Sequence, residues 1–139
     1  MNTKHLVLAA VMIAVTAVPS MAQGRHSSGF SDAQMDRIEK NYAYALGMEN
    51  KGVVEEALAI MTRFKLERPD EKLPKVMKEV RHLATHSKFP IIRYKACLAE
   101  AVFDHPALFE DIATRSYSDS KAFFNALEER MNSQLMSSN

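Results

Sequence analysis

Between residues 31 and 135 the apolar side chains recur every three or four positions, and nowhere in that span do they sustain alternation in steps of two. Spacings of three and four place side chains on one face of an α-helix, whereas a half-buried strand alternates with period two. This pattern predicts an all-α domain with no strands. The composition agrees: the chain has no Trp and only four Gly, and it is rich in Ala, Leu, Met, Glu and Lys, all good helix formers.

Local punctuation divides the span into about six helices. Ser31 followed by Gln34 has the form of a capping box that opens the first, with Met35, Ile38, Tyr42, Ala45 and Leu46 on one face until Gly47. Asn50 is placed to cap the second, whose inward positions are Val53, Val54, Ala57, Leu58, Met61 and Phe64, ended by Pro69-Asp70. The third carries Leu73, Val76, Met77, Val80, Leu83 and Ala84, and tolerates Pro74 because it lies near the start. Pro90 opens the fourth as a first-turn proline, with Ile92, Ala96, Ala99, Val102 and Phe103 inward. Pro106 starts a short fifth with Leu108, Phe109 and Ile112. Ser118 or Asp119 caps a sixth with Phe123, Phe124, Leu127, Met131 and Leu135, and residues 137–139 are expected to fray. Links of about two to six residues make consecutive helices antiparallel neighbours.

Residues 1–22 read as a secretory signal peptide. Lys4 and His5 precede an apolar run over residues 6–18, Pro19 breaks it, and Ser20-Met21-Ala22 is a cleavage site of the small-x-small kind. Those 13 residues fall short of the roughly 20 that a spanning helix needs. The expected mature chain is residues 23–139, with a polar lead-in over residues 23–30 and one domain over residues 31–136, located in the periplasm or secreted, without stable membrane insertion after cleavage. Without Lys4, the 18 Lys and Arg become 17, equal to the 17 Asp and Glu. A neutral chain has no general attraction to nucleic acid or to a membrane surface. Cys97 is the only cysteine, so no internal disulfide can form and helix packing must stabilise the fold.

Two stretches resemble each other at an offset of 39 residues: Glu49 to Leu58 sets against Lys88 to Cys97, with a β-branched residue at Val53 or Ile92 and Ala four positions later at Ala57 or Ala96. Small residues at such positions let neighbouring helix axes approach within the usual 8–10 Å. A period near 40 with two helices per unit is the length of HEAT and armadillo repeats. The run Ile92-Arg93-Tyr94-Lys95-Ala96-Cys97-Leu98-Ala99 resembles the first half of a HEAT-like unit, which commonly reads Val-Arg-x-x-Ala-Ala-x-Ala. The match covers residues 50–115 and departs from the pattern at Val54, which lacks the basic residue, and at Leu58, which is not small. The resemblance implies stacked antiparallel hairpins. The mature chain as a whole resembles small exported bacterial helical proteins, which implies location and fold and no activity.

No motif specifies catalysis. His82 and His86 are spaced to share one helix face and could chelate one ion, but zinc needs three or four ligands and no Glu follows His82 in the His-Glu-x-x-His form. The expected reading is solvated histidines near a helix C-terminus, with no metal and no cofactor. Cys97, beside the inward face of the fourth helix, is expected to be buried and inert, despite Arg93 one turn earlier. No loop surrounds any Ser as an oxyanion site, four glycines cannot build a phosphate cradle, and the adjacent acidic pairs Glu55-Glu56, Asp70-Glu71, Glu110-Asp111 and Glu128-Glu129 do not face each other on a helix.

Charge is unevenly distributed. Residues 63–95 hold ten basic and four acidic side chains, whereas residues 96–139 hold three and seven. Lys72, Lys75 and Lys78, with Arg81 nearby, fall roughly along one stripe of the third helix and are the candidate partner-binding strip. The expected function is that of an exported protein-binding or scaffold module, not an enzyme, whose partner is another envelope protein. A chaperone-like holdase acting through exposed apolar and Met-rich surface is the second reading. An enzyme or small-ligand binder ranks below both.

Overall fold

The computed structural model describes residues 29–137. The signal-peptide reading, most of the lead-in and the last two residues of the tail lie outside them. The described residues form six α-helices: α1 (Asp32–Leu46), α2 (Lys51–Glu67), α3 (Pro74–His86), α4 (Pro90–Asp104), α5 (Glu110–Ala113) and α6 (Ser120–Ser137). The segment expected as one short fifth helix is a 3-10 turn, Pro106–Phe109, running into α5. Among the described residues there is no strand, and no helix is long and apolar enough to cross a membrane.

Most of the long helices start at a local signal. Ser31 Oγ accepts from the Gln34 N–H at 3.3 Å while the Gln34 side chain accepts from the Ser31 N–H at 2.8 Å, so the capping box closes. Asn50 Oδ1 accepts from Gly52 and Val53 at 3.0 and 3.2 Å. Asp119, rather than Ser118, caps α6 by accepting from the Ala122 N–H at 2.8 Å. Pro74 and Pro90 occupy the first turns of α3 and α4, where a missing N–H costs nothing.

The start of α3 has no capping side chain of its own. Its free N–H groups are taken from across the fold by Glu39 of α1. The buried carboxylate accepts from the Lys75 and Val76 backbone N–H groups, the latter at 3.4 Å. An anion at a helix N-terminus satisfies orphan donors and complements the macrodipole.

The largest interface is α3 on α4, followed by α2 on α4, α1 on α3 and α1 on α2. Each hairpin partner thus also touches the helix two places along the chain. Ala57, Ala96 and Ala99 are all buried, together with Leu46, Leu58, Val76, Ile92 and Val102. The segment from the 3-10 turn through α6 closes the α2 and α4 side, where Phe109, Ile112, Phe123, Phe124 and Leu127 are buried. An ion pair enters this interface. Lys95 of α4, 7 % exposed, pairs with Glu55 of α2 and holds its ammonium 5.1 Å from the Phe124 ring centre. A buried ammonium needs such compensation.

Several inward assignments are corrected. Cys97 is exposed. It lies five residues beyond the buried Ile92, about 140° around the helix, while Leu98 and Ala99 face inward. Val53, Leu108 and Leu135 are also exposed. Val53 lies on an α2 face exposed beside α1, Leu108 is on the outer side of the 3-10 turn, and α6 extends past the helices it packs on. Met136 and Ser137 remain helical, with the Ser137 hydroxyl donating to the Gln134 carbonyl at 2.9 Å. Phe30, at the end of the lead-in, stacks on Phe64 at 6.1 Å and lies beneath the Arg68 guanidinium.

Two substitution series test this packing. Glu39→Ala should cost about 2 kcal/mol in urea denaturation, because it strands buried N–H donors at the start of α3. Glu39→Gln, which keeps an acceptor, should cost roughly half of that. Equal costs would show that the carboxylate's charge, not its acceptor role, carries the effect. Ala96→Leu should cost about 1–3 kcal/mol by overpacking, while Cys97→Leu should stay within about 0.5 kcal/mol of the parent, as exposed sites do.

Candidate functional site

The four basic residues of the expected strip are all exposed, but the fold gives them different work. Lys75 Nζ lies 2.5 Å from Asp36 of α1, and that carboxylate also takes Lys40 at 2.7 Å. Arg81 reaches Glu100 and Asp104 of α4 at 3.3 and 3.1 Å. Lys72 and Lys78 make no ion pair among the described residues. Helical geometry explains the division. Within α3, residues three apart step back by about 60°, so positions 75, 78 and 81 sweep through roughly 120°, while Lys72 precedes the helix. The sweep runs from the α1 side of α3 at Lys75 to the α4 side at Arg81. Two of the cations therefore brace α3 against its neighbours, and two face solvent.

The electrostatics of the α1–α3 brace follow from these distances. Hydrogen bonds from Lys40 and then Lys75 hold the Asp36 carboxyl down to about 2, from an ordinary value of 3.8. The same contact raises the Lys75 ammonium. Lys65 is shifted the other way, its ammonium lowered by burial. It donates to the Pro69 and Glu71 carbonyls at 2.6 and 2.8 Å and so ties down the turn between α2 and α3.

Beside the exposed edge of α3 lies a cleft of about 430 Å³, bounded by the end of α1, the start of α2, the C-terminal half of α3 and the link into α4. Leu46, Val54 and Ile92 form a buried apolar floor, with Leu83 and Phe89 half-buried above it. The rim is polar: Glu49, Glu79, His82, His86 and Lys88 stand around it, beside the exposed Met48. An apolar floor under a few charged groups is the usual character of a ligand cleft. Sequence spacing alone did not bring these residues together, since they come from four segments.

His82 and His86 stand one turn apart on this rim, their rings parallel within 9° and 4.6 Å between centres. Among the described residues no group of three or more His, Cys, Asp or Glu is arranged to hold a metal ion. Arg93, considered as a neighbour for the Cys97 thiol, instead donates to the Ser87 carbonyl at 2.6 Å and fastens the α3–α4 link. Tyr94 hydrogen-bonds Glu128 of α6, which raises the phenol above its ordinary value.

A second, shallower groove runs between α1 and α2, walled by Tyr42, Ala45, Val53, Ala57 and Ile60. Val53 and Ile60 are exposed there, as is Tyr44 nearby on α1. No protein-family model, curated protein or solved structure matches this chain significantly.

The brace has a pH signature. A carboxyl depressed in the folded state contributes stability above its unfolded value and loses it as pH falls through the folded value. The Asp36 contribution should be fully present above about pH 4 and gone near pH 2. In an acid titration Asp36→Asn should remove part of the stability difference between pH 5 and pH 2, with the two proteins converging at the acid end. Parallel acid profiles would show that Asp36 has no such depressed value.

Proposed function

We propose that this protein is an exported binding or scaffold module of stacked HEAT-like hairpins, located in the periplasm or secreted. It engages another envelope protein through the cleft beside α3 and through two exposed lysines outside that cleft, Lys78 on α3 and Lys72 just before the helix start. The observation that carries this reading is the cleft itself: a buried apolar floor of Leu46, Val54 and Ile92 beneath a charged rim. Such a surface suits a partner segment that offers an apolar side chain flanked by charge. The HEAT-like part of the reading is supported by the packing of α1 on α3 and of α2 on α4, with Ala57 and Ala96 buried. Helix stacks of this kind present extended binding faces. The reading is one of binding rather than catalysis, with no cofactor and no nucleic acid.

The holdase alternative draws on a separate observation, the apolar α1–α2 groove with Val53 and Ile60 exposed. The two readings part in one experiment. Immobilised protein is incubated with its native envelope fraction and eluted with salt. A partner held at the cleft rim should elute as screening shortens to roughly 8 Å and below, and should be lost with Met48→Glu, Lys88→Glu or the Lys72→Glu/Lys78→Glu pair, at unchanged melting midpoints. Capture that survives salt and these variants but fails with Val53→Glu/Ile60→Glu would replace the scaffold reading with the holdase one.

A further inference from the structure

We propose that His82 and His86 form a two-histidine binding site for a divalent first-row transition metal at the C-terminal turn of α3. Both side chains are exposed one turn apart on the same helix face, and their rings lie parallel at 4.6 Å, close enough for rotation of the rings to bring one nitrogen of each to the same ion. A ring nitrogen can ligate only if it carries a lone pair, so the tautomer matters.

Thr85 couples to the tautomer of His86. Its hydroxyl lies 3.1 and 3.2 Å from the Arg81 and His82 carbonyls, and 2.6 Å from His86 Nδ1. A hydroxyl has one proton, and a carbonyl oxygen can only accept. In the tautomer that ligates through Nε2, the Thr85 proton goes to a carbonyl and its oxygen accepts the Nδ1–H of His86, so all three contacts are compatible with a lone pair on the outer edge of the ring. A hydrogen bond that fixes the far nitrogen is the usual way in which a ligating histidine is oriented.

The field at this position favours a cation. The pair sits in the last turn of α3, at the negative end of the helix dipole. The carboxylates of Glu49 and Glu79 line the same cleft. The opposing charges are Lys88, whose ammonium is drawn over the Phe89 ring at 5.3 Å, and Lys78, one turn before His82 on α3. Two imidazoles without a third protein ligand do not make a structural zinc site. They suit ions that bind imidazole and complete a tetragonal or octahedral shell with water, of which Ni(II) and Cu(II) rank highest in affinity.

Ni(II) is the better probe, because Cu(II) also reacts with the exposed Cys97 thiol. Calorimetric titration of the protein with NiCl2 should show one site per chain. His82→Ala and His86→Ala should each weaken it by about tenfold or more, since the second imidazole acts at high effective concentration. Ni(II) should raise the melting midpoint of the parent and of neither variant. Thr85→Val should weaken binding several-fold, and Thr85→Ser should restore it. Unchanged affinity in the His82→Ala/His86→Ala double variant, or loss of the site with His26→Ala instead, would overturn the proposal. An unaffected Thr85→Val would remove the tautomer argument.

Discussion

The fold turns on one carboxylate. Glu39 reaches out of α1 to the N-terminus of α3, where Pro74 supplies no N–H and Leu73 supplies no capping oxygen. The Lys75 and Val76 N–H groups would otherwise be unpaired in a buried position, and Glu39 accepts both. Because the donors belong to one helix and the acceptor to another, the cap also sets how α1 and α3 lie together. Everything of functional interest is built on α3: the Lys75–Asp36 brace to α1, the Arg81 contacts to α4, the cleft wall and the paired histidines. A shift of α3 along its axis would disturb all four.

The second fixed point is the Lys95–Glu55 pair with its Phe124 ring. An ion pair removed from water gains little net stability, since desolvation offsets most of the attraction. Its value lies in register: α4 can slide on α2 only by separating the buried Lys95 ammonium from the half-buried Glu55. Arg63 does similar work about two turns further along α2, with its guanidinium 4.8 Å from the Phe123 ring and donating to the Asp119 carbonyl at 3.3 Å. These two cations pin α6 across α2 and α4. The remainder of the core is aliphatic and aromatic, and it specifies close packing without fixing register so firmly.

Both charges leave a trace in the sequence. Glu39 falls on the same helical face as Tyr42 and Leu46, and Lys95 on the face of Ile92 and Ala99. A charged residue inside an apolar stripe must find a partner or unfold the stripe. The trace reveals the need and not the partner, because Glu39 meets a backbone 36 residues away and Lys95 a carboxylate 40 residues away. Cys97 shows the opposite error. Its small, weakly polar side chain suits a core, yet its angular position on α4 turns it to solvent.

Helix type, helix number and most helix ends were determined by the sequence alone. They depend on spacings of three and four, on Ser31, Asn50 and Asp119 as caps, and on Pro74 and Pro90 as first-turn residues, all of which act within a few residues. Tertiary structure alone decided which cations remain free and where the cleft lies. Positions 72, 75, 78 and 81 look alike in sequence, but 72 precedes α3 and the other three rotate around it, while acidic groups from α1 and α4 pair with only two of the four. The cleft gathers Leu46, Val54, His82 and Ile92 from four segments. Local rules act along the chain, whereas the meeting of distant residues depends on how packed helices exclude water and pair their buried charges.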